Sequence, residues 1–125
     1  LWKGRRVEDP GTNLAVVESL LRKAIALDDS LAPAHVQLGD LYEDERKYEA
    51  SIPQYERALQ LDPSLADAYY RLGTDYVHTG QKEKAQAELA VYQKLRAAHL
   101  AAVEKERAEV EQFVYSEKGQ AANKP

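Results

Sequence analysis

An all-α fold of stacked helical hairpins is predicted by three features of this 125-residue chain. The stretch Ser30-Leu31-Ala32 through Leu38-Gly39 recurs 34 positions later as Ser64-Leu65-Ala66 through Leu72-Gly73, and that period is one at which helical hairpins stack. Apolar residues around both copies recur at threes and fours, which is helical spacing. From Lys82 to Lys118 there is neither proline nor glycine, and alanine, glutamate, lysine, glutamine and leucine predominate, all good helix formers.

The elements follow in order. Val17, Leu20, Leu21, Ala24, Ile25 and Leu27 form one stripe with Leu14 and predict a first helix over about 14–27. Before it, Val7 to Asn13 reads as a loop because Pro10-Gly11 is a turn dipeptide, with Thr12 or Asn13 as the N-cap. Trp2 then stands upstream, either packed back on the array or as the tail of a helix that has been cut away. Ser30 and Ser64 sit where N-caps of two further helices belong. Pro33 falls in the opening turn of the first of these, where its missing N–H costs nothing. Glu43 to Lys47 supplies the turn to a helix over about 48–61, which ends at Asp62-Pro63 because the residue before proline avoids the α region. Pro53 predicts a later start for that helix, nearer Ser51. The next helix runs from Leu65 to about Thr79 and breaks at Gly80. The last runs from Lys82 to about Lys118, roughly 55 Å at ~1.5 Å per residue, and Gly119 to Pro125 reads as a flexible tail.

Composition narrows the chemistry. The chain is 44% hydrophobic and 30% charged, ordinary for a folded domain, with room for one core. A net charge of −4 offers no general attraction to phosphate backbones or anionic lipid, so nucleic acid is not an expected partner. No apolar run approaches the ~18 residues of a spanning helix, so membrane insertion is not expected. The absence of cysteine removes disulfides and thiolate chemistry while leaving cytoplasmic and periplasmic or extracellular locations both open. The start at Leu1, without methionine, suggests an internal cut in a longer protein.

The Leu38-Gly39-Asp40-Leu41-Tyr42 and Leu72-Gly73-Thr74-Asp75-Tyr76 segments, with Tyr48-Glu49-Ala50, Tyr55, Ala58, Leu59 and Pro63 downstream, resemble the tetratricopeptide repeat (TPR). The resemblance implies a right-handed array of about two and a half repeats with a long C-terminal capping helix. Its divisions would be a truncated upstream hairpin and loop at 1–13, the second helix of a partial repeat at 14–31, repeats at 32–65 and 66–97, an extended helix at 98–118 and the tail at 119–125. Departures stand at His35 and Tyr69, where the family favours tryptophan, at Tyr92, where a small alanine is common, and at Ala97, where proline is common.

Enzyme chemistry has no foothold among these residues. His35, His78 and His99 lie on separate segments with no histidine at the i,i+4 spacing of a helical zinc pair, so no metal or other cofactor is expected. His35 reads as a packing residue and His78 as an exposed contact. Asp28-Asp29, Asp40 with Glu43-Asp44-Glu45, and Glu104-Lys105-Glu106 read as solvated faces, without the shaped cleft that acid–base catalysis requires.

The resemblance places the first helix of each hairpin on a concave surface. Mapping that face gives Pro33, Val36, Gln37, Asp40, Glu43 and Asp44, then Asp67, Tyr70, Arg71, Thr74, Val77 and His78. A carboxylate clamp of the family's kind would want lysine and asparagine at Val36 and Asp40 and asparagine at Thr74, so only Arg71 fits one. The expected ligand is instead a basic or mixed polar-apolar polypeptide segment. A second surface is expected on the last helix, where Tyr92, Leu95, Leu100, Val103, Val110, Phe113 and Val114 recur at threes and fours, interrupted by Arg107. Such a seam is buried against the preceding hairpin, against another copy in a homo-oligomer, or against another part of the parent chain. Two non-catalytic functions fit: an interaction scaffold for a protein or peptide, or a structural or dimerisation module bracing an upstream catalytic or transport domain.

Overall fold

The computed structural model describes the backbone of residues 10–122 and the side chains of residues 13–118. The described residues form five helices, α1 (Pro10–Leu27), α2 (Ala32–Asp44), α3 (Tyr48–Leu61), α4 (Ala66–His78) and α5 (Lys82–Ala122). Chain segments divide into two compact units after Tyr92. The expectations for Trp2, for the loop up to residue 9 and for the last three residues fall outside the described residues.

In the first unit, α1 packs on α2, α2 on α3 and α3 on α4. One core cluster joins Ile52 and Tyr55 of α3 to Ala68, Leu72 and Tyr76 of α4 and to Ala85 of α5. A second gathers Leu38, Leu41 and Tyr42 of α2, with Leu21 and Ile25 of α1 and Ala50 of α3 against it. The two repeat glycines allow the close approach that positions these helices. A Cβ on Gly39 would lie 2.9 Å from the Tyr55 ring, and one on Gly73 would lie 2.8 Å from the Leu89 side chain. Gly39 and Gly73, like Tyr55 and Leu89, are one period apart, so the same contact is made twice with different side chains.

Helix ends differ from expectation in four places. α1 begins at Pro10, inside the predicted loop, so neither Thr12 nor Asn13 is its N-cap; proline's missing N–H is no loss in a first turn. Leu31 and Leu65, without side-chain cap bonds, occupy the N-caps of α2 and α4. Ser30 and Ser64 are instead held by the preceding aspartates: Asp28 Oδ1 accepts from the Ser30 amide at 3.0 Å and hydroxyl at 2.5 Å, and Asp62 Oδ1 from Ser64 at 3.0 Å and 2.6 Å. These local turns use up the hydroxyls that would have capped, and they hold both aspartates below the usual carboxylate range. α3 starts at Tyr48 despite Pro53; Pro53 and Glu49, the residue one turn back whose carbonyl loses its donor, are both exposed. α5 continues through Gly119 to Ala122, where a flexible tail was expected.

The turns after α2 and α4 share one design. Arg46 (φ 60°) and Gly80 (φ 77°) are left-handed. Lys47 N–H donates to Tyr42 O and Gln81 N–H to Tyr76 O, both at 2.8 Å, while Arg46 N–H donates to Glu43 O and Gly80 N–H to Val77 O. This is the paired Schellman closure of a helix C-terminus. Glycine suits it; Arg46 adopts it at a steric cost.

Candidate functional site

The predicted groove residues lie on α2 and α4, and the structure ties the two helices together through polar side chains. Arg71 of α4 donates from Nη1 to Glu43 Oε1 of α2 at 2.9 Å, and its Nε lies 3.4 Å from Asp40 Oδ1. Tyr55 of α3, fully buried, donates its hydroxyl to Asp40 Oδ1 at 2.6 Å, and burial with the Asp40 charge pushes that phenol's pKa up. Thr74 caps the local network by donating to Arg71 O at 2.8 Å. Asp40 and Glu43 are therefore half-buried ligands of Arg71, which corrects their reading as part of a solvated face. The cause is the helical offset between Asp40 and Glu43, which presents both carboxylates to one guanidinium on the next repeat.

Behind Arg71 lies a group that the sequence reading missed. Asp75 is 0% exposed and accepts from the Ser51 hydroxyl of α3. Its carboxyl lies close enough to that of Glu43 for each to influence the other's protonation. Burial, followed by the bond to Asp75 and the charge of Asp75, raises Glu43 to about 7. Burial raises Asp75 as well, opposed by its bonds from Glu43 and Ser51. The signal that identifies it is the repeat itself: one period earlier the same position holds Leu41, so a carboxyl there is an exception to the packing rule.

The remaining groove residues divide by exposure. Gln37, Asp44, Asp67, Tyr70, Val77 and His78 are exposed, while Val36 is half-buried against the core. Tyr70 leans on Tyr92 with ring centroids 5.1 Å apart, and His78 stacks on Tyr48 at 4.1 Å with the rings 5° from parallel. That stack borders an open cleft of about 620 Å³, lined also by Arg46, Lys47, Glu49, Ala50 and Thr79. His35 is buried, with its ring nitrogens 2.9 Å from Gln54 Oε1 and 3.0 Å from the Asp29 carbonyl, the packing role expected of it. Among the described residues, no group of three or more histidines, aspartates or glutamates is placed to hold a metal ion. No helix among them is long and apolar enough to cross a membrane.

Of the predicted seam, Tyr92 and Leu95 are half-buried. In the second unit, Leu100, Val103, Val110, Phe113 and Val114 are exposed, Phe113 by 65%, and Tyr115 joins them. Arg107 pairs along its own helix with Glu104 and Glu111.

Comparison with known proteins follows the same lines. Residues 44–80 match the family model described as TPR repeat. No curated protein matches the sequence. Among solved structures, that of MamA is similar over 71% of this chain and 52% of its own, at 22% identity and a TM-score of 0.67. YrrB, described as a TPR protein with an unusual peptide-binding site, is similar over 75% of this chain and 48% of its own, at 23% identity and a TM-score of 0.62. The second TPR of Spaghetti (RPAP3), solved bound to the HSP90 peptide SRMEEVD, is similar over 66% of this chain and 76% of its own, at 23% identity and a TM-score of 0.63. This chain thus spans about half the length of the MamA and YrrB structures. Residues 44–80 are tetratricopeptide-repeat sequence, and the hairpin array that contains them has the tetratricopeptide-repeat fold.

Proposed function

We propose that the chain is a non-catalytic interaction scaffold whose α2 and α4 face takes a polypeptide segment carrying basic and apolar side chains. The observation that carries this reading is the engagement of Arg71 by Asp40 and Glu43. Arg71 is so occupied rather than free for a partner's carboxylate, and the other acids predicted on this face, Asp44 and Asp67, are exposed. Tyr70 (49% exposed) and Val77 (56% exposed) supply apolar area on the same predicted face. Aromatic anchors with a charged rim are a common composition for a binding patch. The solved neighbours lend support at the level of fold, since one is described with a peptide-binding site and another holds a peptide. The acidic sequence of that bound peptide differs from the ligand proposed for this chain.

Panning a random peptide display library on the chain tests the reading. Enrichment of lysine or arginine flanking an apolar residue is expected, with loss of the enriched clones on the double variant Asp44→Lys, Asp67→Lys. Selection of acidic or C-terminal carboxylate motifs would reject it.

A second reading, a structural or dimerisation module bracing another domain, rests on the exposed stripe of Leu100, Val103, Val110 and Phe113. Apolar area of that kind on a helix is ordinarily covered by a partner. Light scattering across a wide concentration range separates the two, because dimerisation through this stripe makes the mass concentration-dependent.

A further inference from the structure

The 34-residue register isolates a group that the fold does not require. Asp75 occupies the position of Leu41, and its donor Ser51 occupies the position that Ala85 fills one repeat later. Apolar atoms serve at the equivalent positions, Leu41 and Ala85 both being buried. A buried carboxyl introduced into such a place is costly unless its oxygens are satisfied. Two of the four oxygens of the Glu43–Asp75 couple are: Arg71 donates to Glu43 Oε1, and Ser51 donates to Asp75 Oδ2. The other two, Glu43 Oε2 and Asp75 Oδ1, are buried with no donor among the described residues. The two carboxyl groups are nonetheless within hydrogen-bonding reach of one another. Two ionised carboxylates in that arrangement repel, whereas a single proton between them makes a bond.

We propose that Glu43 and Asp75 share one proton, which latches α2 to α4 across successive repeats, and that losing it makes the groove a stronger site for a cationic side chain. The groups facing the couple are Asp40 on α2, Ser51 and Tyr55 on α3 and Arg71 on α4; α5 contributes the uncharged Ala85 at the position equivalent to Ser51. With the proton in place, Arg71 faces Asp40 and a single negative charge on the couple, which leaves the cluster one net negative charge. Without it, Glu43 adds a negative charge that no group in the cluster offsets, and a lysine or arginine from a partner supplies the missing cation. Proton and cationic ligand then compete, and each weakens the other's binding by the same factor. The regulatory half of this inference rests on the groove reading above; the shared proton does not.

The test has two arms. Carboxyl ¹³C NMR of the intact chain follows every glutamate and aspartate from mildly acidic to mildly alkaline pH. One glutamate is expected to titrate near 7 and to vanish in Glu43→Gln, and in Asp75→Leu it should return toward its ordinary value. Asp75→Leu restores the repeat's own residue, so a folded variant is available even if Asp75→Asn does not fold. In the second arm, tetralysine, whose charge is constant over this range, is titrated by calorimetry. Its affinity is expected to rise about tenfold between the acidic and alkaline ends in the wild type and to stay level in Glu43→Gln. If all glutamates titrate at ordinary values, the shared proton is overturned. Titration near 7 with equal tetralysine affinity at both ends overturns the linkage to the groove. Absence of tetralysine binding at either pH overturns the groove reading and with it the linkage, while the carboxyl titration still decides the proton.

Discussion

Replacing Glu43 by glutamine isolates the buried acid couple, because the amide keeps the size, accepts from Arg71 and donates to Asp75 without a titrating proton. In the wild type, burial with the bond and charge of Asp75 raises Glu43 from 4.5 to about 7. A group whose folded pKa is raised binds its proton more tightly in the folded chain than in the unfolded one. Its contribution to stability is therefore fully present below 4.5 and is lost as pH climbs through about 7. At about 1.4 kcal/mol for each tenfold difference in proton affinity, the loss amounts to roughly 3 kcal/mol. Asp75, raised by burial, acts in the same direction. Asp28 and Asp62, held low by their serines, act in the opposite direction, but they are common to wild type and variant and cancel in the comparison. Urea unfolding at a series of pH values is the assay. The wild type is expected to match Glu43→Gln at acid pH and to fall below it by roughly 3 kcal/mol above neutrality, a large part of the stability of a small domain. Parallel stability curves for the two proteins would refute the reasoning.

Further outcomes follow from the packing. Gly39→Ala should lose about 1–2 kcal/mol in urea unfolding, because the new methyl meets a Tyr55 ring that is fully buried and tied to Asp40, and the helix-propensity gain offsets only part of the strain. Gly73→Ala should stay within about 1 kcal/mol of wild type, since Leu89 is half-buried and can turn aside; the reverse order would show that the glycines are not there for these contacts. Arg46→Gly should stabilise by about 1 kcal/mol by relieving a left-handed non-glycine residue, and a drop in the unfolding midpoint would contradict that geometry. Tyr55→Phe should cost about 1 kcal/mol through the lost bond to Asp40, read by the same unfolding series. Val103→Glu with Phe113→Glu should abolish any concentration-dependent mass in light scattering, and a wild type that stays monomeric throughout removes the dimer reading of the stripe.

The repeat made most of the fold legible, because residues that recur at one period specify recurring contacts. Gly39 against Tyr55 and Gly73 against Leu89 are the same contact read twice. Helix ends were less legible where two local interactions compete: Ser30 and Ser64 are good caps, but Asp28 and Asp62 stand two residues before them and take their hydroxyls. Pro53 was misjudged because a proline's cost depends on whether solvent reaches the carbonyl it leaves unpaired, which sequence spacing does not state. Register laid the predicted groove residues on α2 and α4, yet it did not reveal the pairing among them. That Arg71 would reach back to Asp40 and Glu43 depends on the distance between helices of different repeats. Asp75 was visible in principle, as the one place where a buried leucine in one copy becomes a carboxyl in the next.

The central claim is that the α2 and α4 face binds a basic, partly apolar segment. Asp40 is a poor probe of it, since Asp40 also holds Tyr55; Asp44, Asp67 and Tyr70 are exposed and cleaner. Calorimetric titration of a library-selected basic peptide into the wild type and into the triple variant Asp44→Lys, Asp67→Lys, Tyr70→Ala is the most direct measurement. The account predicts a loss of at least about tenfold in affinity, from like-charge repulsion and the missing anchor, with the variant's fold intact by circular dichroism. Equal affinity for the two proteins would contradict it.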